Sequence, residues 1–188
     1  MSEFINKIVA WDEKVSKKIV LFSKKRLKFV SFIALSGNVQ PWLIMSVLFF
    51  VFNLFIDRSF NLVQIVLTLF AGILISICKY SVKRGRPSVT VSKKYVGKGD
   101  FYSFPSGHSG RMGCIALLFA VKYPFIGWVF VLWAIGVAYS RVALQLHYFL
   151  DVFFGILIGC FSAIIAFIFY SQIVNLLSPI VEWMNSLI

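Results

Sequence analysis

The chain has 188 residues, of which 60% are hydrophobic and 18% aromatic, and its formal charge is +12. A soluble domain of this length cannot bury that much apolar surface, so the composition excludes an ordinary water-soluble protein and predicts a multi-pass protein of the cell membrane. Such a basic excess often indicates nucleic-acid binding. In a membrane protein it is better explained by contact with anionic headgroups, so we expect the lipid bilayer, and no nucleic acid, as a partner.

Residues 1–36 are predicted to form an amphipathic segment on the membrane surface. Apolar residues recur at helical intervals between Phe4 and Phe22, and cations interrupt or follow them. These cations are Lys7, Lys14, Lys17, Lys18, Lys24, Lys25, Arg26 and Lys28. The pattern is typical of a helix that lies along a membrane. A turn at Gly37–Pro41 follows and begins the next helix.

Five apolar stretches are interpreted as membrane spans. They run from about Trp42 to Ile56, Leu62 to Lys79, Ser106 to Val121, Phe125 to Val142 and Phe149 to Leu177. On the fifth, Gly155 and Gly159 are small residues four apart, a spacing that favours close helix contact. We therefore predict an all-α bundle of about five transmembrane helices over residues 37–178. The amphipathic segment 1–36 precedes it, and an interfacial tail over residues 179–188 follows.

The number of spans assigns the connecting segments to the two membrane faces. The polar loop 80–104 and the turn 141–148 are separated by two spans, so we expect them on the same face, together with the N-terminal helix. The turns 57–61 and 122–124 are expected on the other face.

Two histidines and an aspartate stand out at the ends of predicted spans. His147 and Asp151 are four residues apart, so on a helix they share one face. The carboxylate can then hold one ring nitrogen while the other faces a substrate. His108 lies near the start of the third span. Ionisable residues within apolar segments are costly, so they indicate a functional site.

Cations and a helix start predict that this site binds a phosphate. Lys79, Arg86 and Arg141 are placed at one face, enough charge to hold a dianionic phosphate. Ser106 and Gly107 open the third span, where free backbone N–H groups attract anions. Gly107 has no side chain, so a phosphate oxygen can approach the backbone closely.

Three motifs carry a family resemblance. They are Lys79–Pro87 (Lys, six residues, Arg-Pro), Pro105–His108 (Pro-Ser-Gly-His) and Ser140–Asp151 (Ser-Arg, five residues, His, three residues, Asp). In this order they resemble the signature of the type-2 phosphatidic acid phosphatase superfamily, and each fixed position is met. The resemblance covers roughly residues 40–175 and implies a membrane lipid phosphatase.

The resemblance also implies a role for each site residue. His147 would attack phosphorus and form a phosphohistidine, Asp151 would orient it, and His108 would act as general acid. The residues that would hold the phosphate are Lys79, Arg86, Ser106, Gly107 and Arg141. No cluster of carboxylates or Cys/His ligands appears, so we expect no metal and no other cofactor.

The substrate follows less directly from the sequence. The run Pro105–Arg111, with an arginine three residues beyond His108, resembles the polyisoprenoid diphosphate phosphatase branch of the family. The short chain also resembles small undecaprenyl-diphosphate phosphatases. Arg111 would extend the site towards a second phosphate, or pair with Asp100 or Asp151. Phosphatidylglycerophosphate, phosphatidate and lipid A 1-phosphate phosphatases share the signature and stay as alternatives, as do a lipid-linked phosphotransferase and a non-hydrolytic lipid transporter.

The remaining loop cations are interpreted as solvated charges or as general attractors of an anionic substrate. They are Lys83, Arg84, Lys93, Lys94 and Lys98. With the N-terminal cations they outnumber Arg58 and Lys122 on the other face, which favours a cytoplasmic active site. Bacterial members of the family usually present theirs outside the cytoplasm, so the sequence leaves the side open.

Overall fold

A computed structural model describes residues 3–52, 57–88 and 100–186 of the chain. Within these ranges the regular structure is helical, which confirms the all-α prediction. The helices are α1 (Glu3–Ser23), α2 (Leu27–Ser36), α3 (Val39–Phe52), α4 (Arg58–Val82), α5 (Gly107–Lys122), α6 (Pro124–Ala143), α7 (Phe149–Ile168) and α8 (Tyr170–Asn185). A single 3-10 turn, Lys24–Arg26, joins α1 to α2.

Three helices in the described part of the chain, α4, α6 and α7, are long and apolar enough to cross a membrane. The pair Glu3–Ser36 and Val39–Phe49, bent by 53°, would make a fourth span if counted as one. Helix α5 has 16 residues, slightly short for a span, and lies inside the bundle. The multi-pass prediction is therefore confirmed, although length and apolarity alone support fewer than five spans.

The last predicted span differs from the structure. Helix α7 ends at Ile168, and α8 begins after a break at Phe169, where the sequence predicted continuous helix to Leu177. Helix α8 then continues through Pro179 and so crosses the predicted start of the tail. The end of the first predicted span, residues 53–56, lies outside the described residues.

Helix α5 is the centre of the bundle, with α4, α6 and α7 packed around it. Near its end Phe119 stacks on Phe130 at 4.0 Å between ring centroids. At its start it touches α7: a Cβ added to Gly155 would lie 2.5 Å from the Ser106 carbonyl oxygen, and one on Gly159 would collide with the backbone of α5. The predicted close contact at these glycines is confirmed, and it brings the N-termini of α5 and α7 together.

Helix α1 is amphipathic as predicted, but its small polar side chains face the protein. Asp12, Ser16 and Ser23 are buried, whereas Phe4 and Phe22 are 70% and 77% exposed. Beside a bilayer, apolar side chains gain little by turning inward, while polar side chains need partners inside the protein. Helix α1 therefore packs on α6 and α7 through polar contacts as well as apolar ones, such as that of Trp11 with Phe149.

The two ends of the bundle contain the segments that the span count assigned to them. At one end, the chain after α4 contacts α1 through Arg84, and the start of α7 contacts α1 through Leu150. At the other end, Tyr123 Oη donates to Asp57 Oδ2 at 2.9 Å. The described parts of these segments are thus grouped at two ends of the bundle as the span count predicted, while residues 89–99 of the loop lie outside the described residues.

Candidate active site

His147 lies in the turn between α6 and α7, whose backbone is closed by the amides of Leu146 and His147 on the Arg141 carbonyl at 3.0 and 3.2 Å. Its side chain is 2% exposed, and its Nδ1 lies 2.7 Å from the Ser103 carbonyl oxygen. A carbonyl only accepts, so Nδ1 must carry the proton and Nε2 the lone pair. Burial lowers the pKa of the imidazole to about 4, against the opposing effect of Asp151. The ring is therefore neutral at neutral pH.

Asp151 is buried beside His147, but it does not accept the hydrogen bond from the ring N–H. Its Oδ2 lies 3.7 Å from His147 Nδ1, too far for a hydrogen bond. Instead Oδ2 accepts the Tyr148 amide at 2.8 Å, and Oδ1 accepts from Arg84 Nη1 at 2.7 Å. Ser103, which the sequence analysis missed, makes the contact that was expected of Asp151.

Arg84 is part of this cluster, and its interpretation as a solvated loop cation is wrong. It bridges two buried carboxylates, with Nη1 2.7 Å from Asp151 Oδ1 and Nη2 2.7 Å from Asp12 Oδ2. Its guanidinium also stacks 4.1 Å from the centre of the Tyr148 ring. Burial alone would lower the pKa of Arg84, but the two carboxylates raise it above its usual value.

Lys79 and Arg86 are brought together as predicted, with Asp100 between them. Asp100 Oδ1 lies 2.7 Å from Lys79 Nζ, and Oδ2 lies 3.0 Å from Arg86 Nη2. Arg86 Nη1 donates to the Leu146 carbonyl at 2.9 Å and lies 3.3 Å from His147 Nε2. Burial alone would raise the pKa of the Asp100 carboxyl, but Lys79 and Arg86 hold it below its usual range.

Arg141 is a buried cation of the site, and no carboxylate of the described residues forms an ion pair with it. It is 3% exposed, and its Nε has no hydrogen-bond partner within the described residues. The same part of the chain offers its guanidinium no ion pair. A buried charge without a partner is costly, and an anionic ligand would remove that cost.

The start of α5 combines a cap with free amides. Ser106 Oγ accepts the Ser109 amide at 3.4 Å, and the Ser106 amide donates to the Asp151 carbonyl at 2.8 Å. The polar groups of Ser106 are thus engaged within the protein. The amides of Gly107 and His108 have no acceptor within the helix and can bind an anion.

The turn between α2 and α3 positions His108 and Arg111. His108 Nε2 lies 2.9 Å from Asn38 Oδ1, an amide oxygen that accepts, so Nε2 carries the proton and Nδ1 is left for a substrate. Arg111 Nη1 donates to the Gly37 carbonyl at 3.0 Å. Among the described residues, Asp100 pairs with Lys79 and Arg86, and Asp151 pairs with Arg84, so the alternative pairing of Arg111 with Asp100 or Asp151 is wrong. Sequence analysis identified this turn but had no signal for its contact with His108.

Two cavities reach the site. A groove of about 510 Å³ runs along α3 and α4 to the cations. Its lining includes Trp42, Leu69, Gly72, Ile73, Ile77, Lys79, Gly107 and Arg111. A second cavity of about 540 Å³ lies between α1 and the turn that carries His147. Across the described ranges, no group of three or more His, Cys, Asp and Glu side chains is placed to hold a metal ion.

Residues 60–174 match the family model of the PAP2 superfamily. This range contains all three predicted motifs. The chain belongs to the PAP2 superfamily. This confirms the family resemblance drawn from the three motifs. Asp12 and Asn38 lie outside the matched residues.

Two PAP2 relatives match part of the chain. A lipid A 1-phosphatase of Rhizobium etli is 30% identical over 109 residues, which are 55% of this chain and 47% of that protein. An undecaprenyl-diphosphatase of Sulfolobus acidocaldarius is 28% identical over 131 residues, 68% of this chain and 63% of that protein. The chain thus spans about half the length of the first of these relatives and less than two thirds of the second.

Solved PAP2 structures share the fold. The PAP2-type phosphatidylglycerolphosphate phosphatase of Bacillus subtilis superimposes with a TM-score of 0.73 at 22% identity, covering 89% of this chain and 88% of that one. Aquifex aeolicus LpxE gives a TM-score of 0.65 at 22% identity, over 80% of this chain and 93% of that one. Both support a multi-pass membrane fold.

Proposed function

We propose that this protein is an integral-membrane lipid phosphatase that works through a phosphohistidine on His147. One observation carries the proposal: the lone pair of a buried, neutral histidine lies 3.3 Å from Arg86 Nη1, in a site that also contains Lys79 and Arg141. This combination places a nucleophile beside an anion cradle.

In the first step His147 Nε2 attacks phosphorus. The new P–N bond forms as the bond from phosphorus to the lipid oxygen breaks. His108 is protonated on both ring nitrogens when the anionic substrate is bound, and its Nδ1 gives its proton to that oxygen. The ring gains positive charge, which the Ser103 carbonyl stabilises through its hydrogen bond to Nδ1 and which Asp151 stabilises from 3.7 Å. Lys79, Arg86 and Arg141 compensate the charge of the phosphoryl group.

In the second step water hydrolyses the phosphohistidine. His108 Nδ1 takes one proton from the attacking water, the P–N bond breaks, and the electron pair returns to His147 Nε2. Inorganic phosphate leaves and both histidines regain their starting protonation. The cavity between α1 and the His147 turn is the proposed route for water.

The lipid chain is proposed to lie in the groove along α3 and α4. Most of the groove is apolar and faces the expected bilayer, and it ends at Lys79, Gly107 and Arg111. A lipid bound there would have its hydrocarbon among apolar side chains and its phosphate at the start of α5. This matches an amphiphilic substrate better than a soluble phosphoester.

An isoprenoid diphosphate of the undecaprenyl type is our preferred substrate. Arg111 lines the groove beside Gly107, where it could bind a second phosphate next to the one that is attacked. Phosphatidylglycerophosphate, phosphatidate and lipid A 1-phosphate would use the same cradle without that second contact.

A panel of these four lipids, assayed in detergent with a chelator present, tests the proposal. We expect phosphate release, fastest from the isoprenoid diphosphate, and an acid-labile phosphohistidine that His147→Ala abolishes. The control Lys122→Ala, at the other end of the bundle, should keep full activity. No release from any lipid would refute the phosphatase. Transfer of labelled phosphate to an added lipid alcohol instead of water would identify a phosphotransferase, and loss of activity only with chelator would contradict metal independence.

A further inference from the structure

Helix α1 reaches the active site through a buried carboxylate. Asp12 is 0% exposed, and its Oδ1 accepts the Leu150 amide at 2.9 Å. One turn later, Ser16 Oγ accepts the Phe149 amide at 2.9 Å. Helix α1 thus caps the first two amides of α7, the helix that carries Asp151, and a carboxylate is well placed at the positive end of that helix.

The same carboxylate holds the guanidinium that contacts Asp151. Arg84 donates one Nη to Asp12 and the other to Asp151, both at 2.7 Å. The planar fork fixes the two carboxylates relative to each other, which the single ammonium of a lysine cannot do. Among the described residues, Arg84 pairs with Asp12 and Asp151 and makes no hydrogen bond to His147, so we do not count it in the phosphate cradle.

We infer that Arg84 and Asp12 are positioning residues of this active site: Arg84 holds Asp151 in place, and Asp12 on helix α1 holds Arg84. The N-terminal helix is then part of the catalytic machinery as well as a membrane contact. The inference rests on the proposed role of His147 as nucleophile.

The charges of this network act on His147 with opposite signs. The charged or titratable groups around His147 come from every element packed against it. They are Lys79 from α4, Arg84, Arg86 and Asp100 from the chain between α4 and α5, His108 from α5, Arg141 from α6, Tyr148 from the turn before α7, Asp151 from α7, Asp12, Glu13 and Lys17 from α1, and Lys24 after it. Removing the Arg84 cation makes the site more negative, so the pKa of His147 should rise. Removing the Asp12 anion makes the site more positive, so this pKa should fall.

The test compares Arg84→Gln, Arg84→Lys and Asp12→Asn in the full chain, with Lys83→Gln and Glu3→Gln as charge-matched controls at exposed positions. For each variant we would measure kcat, KM and the acid limb of the pH profile with the best lipid of the panel. The chain has two histidines, so ¹⁵N-histidine NMR in detergent, assigned with His108→Gln, follows His147 directly.

Arg84→Gln is expected to lower kcat by about 10- to 100-fold with KM changed less than about twofold, as for a displaced catalytic group, and to move the acid limb to higher pH. Asp12→Asn should move the limb to lower pH. Arg84→Lys should keep the limb close to wild type yet still lose kcat, because the charge remains and the fork is lost. Controls should match wild type.

If the acid limbs of Arg84→Gln and Asp12→Asn shifted in the same direction, the packing would be loosened in general and the inference would be overturned. An unchanged kcat in Arg84→Gln would overturn it as well. If Arg84→Gln does not fold, Arg84→Lys and Asp12→Asn decide the matter: the first should lose kcat at an unchanged limb, and the second should move the limb to lower pH. Absence of a phosphohistidine in the wild type would refute the proposed function alone, since the NMR titration of His147 reports on the network without turnover.

Discussion

Asp100 lies between Lys79 and Arg86, at 2.7 and 3.0 Å, where the proposed mechanism needs these cations to face a phosphate. Its side chain is 41% exposed, so this anion can move more readily than the buried Asp151. Asp100 thus competes with the substrate for two of the three cradle cations, while Arg141 has no such competitor among the residues described.

We predict that Asp100→Asn strengthens the binding of simple anions. With the carboxylate charge removed, Lys79 and Arg86 attract phosphate or vanadate more strongly, and inhibition constants for both should fall by about tenfold, equal to about 1.4 kcal/mol. The measurement is competitive inhibition of lipid hydrolysis, with Asp57→Asn at the far end of the bundle as control. Weaker inhibition in Asp100→Asn would mean that Asp100 organises the cradle instead of competing for it.

The residues that sequence analysis missed share one property. The residues Asp12, Asn38 and Ser103 act on motif residues from segments whose tertiary position the sequence does not encode locally. Arg84, which stands between Lys79 and Arg86 in the first motif, was misinterpreted for the same reason, because its partner Asp12 is distant in the sequence. His147, His108 and the cradle cations were predictable because short motifs at helix ends, combined with the number of intervening spans, put them on one face. Which carbonyl accepts the hydrogen bond from His147 Nδ1 depends on how residues 100–106 pack, and no rule of sequence spacing predicts that.

At the scale of helices, periodicity indicated an amphipathic α1 but not which face would point inward. Next to lipid the usual inside-apolar rule weakens, so the inward face is decided by polar partners such as the amides of α7. The length of α5 was predicted almost as observed, but its central place in the bundle was not. The start of α5 matters more than its length, because that start carries His108.

The groove along α3 and α4 gives a prediction at this scale. Gly72 faces open space in the groove, since a Cβ added to it would have no other atom within 4 Å, so Gly72→Trp can fill the groove without disturbing the core. We expect KM for long-chain lipid substrates to rise at least about tenfold, the effect of losing roughly 1.4 kcal/mol of apolar contact. A short-chain or water-soluble phosphate analogue should be hydrolysed as by wild type.

The controls for this variant lie on the same helix. Gly72→Ala should be nearly silent, and Val66→Trp adds the same bulk at an exposed position outside the groove lining. Equal loss of activity in Val66→Trp and Gly72→Trp, or equal loss with short and long substrates, would place the lipid chain elsewhere.

At the scale of the whole molecule, positive charge is concentrated at the active-site end of the bundle. This end carries the lysines of α1 and the three cations of the turn Lys24–Arg26, in addition to Lys83, Arg84 and Arg86 directly after α4. The other end carries Arg58 and Lys122. The packing of α1 on α7 shows that its cations belong to the active-site end irrespective of any attraction by substrate, which strengthens the charge argument.

We predict from this asymmetry that the active site faces the cytoplasm, because membrane proteins retain positively charged segments on that side. In a variant with Cys78, Cys114 and Cys160 replaced by alanine, single cysteines at Lys25 and at Lys122 would report on the two ends. In intact cells a membrane-impermeant maleimide should label Lys122→Cys at once and Lys25→Cys only after permeabilisation. The reverse pattern would place the site outside the cytoplasm. It would also mean that the cations of α1 bind the outer leaflet and that phosphate is released from His147 outside the cytoplasm.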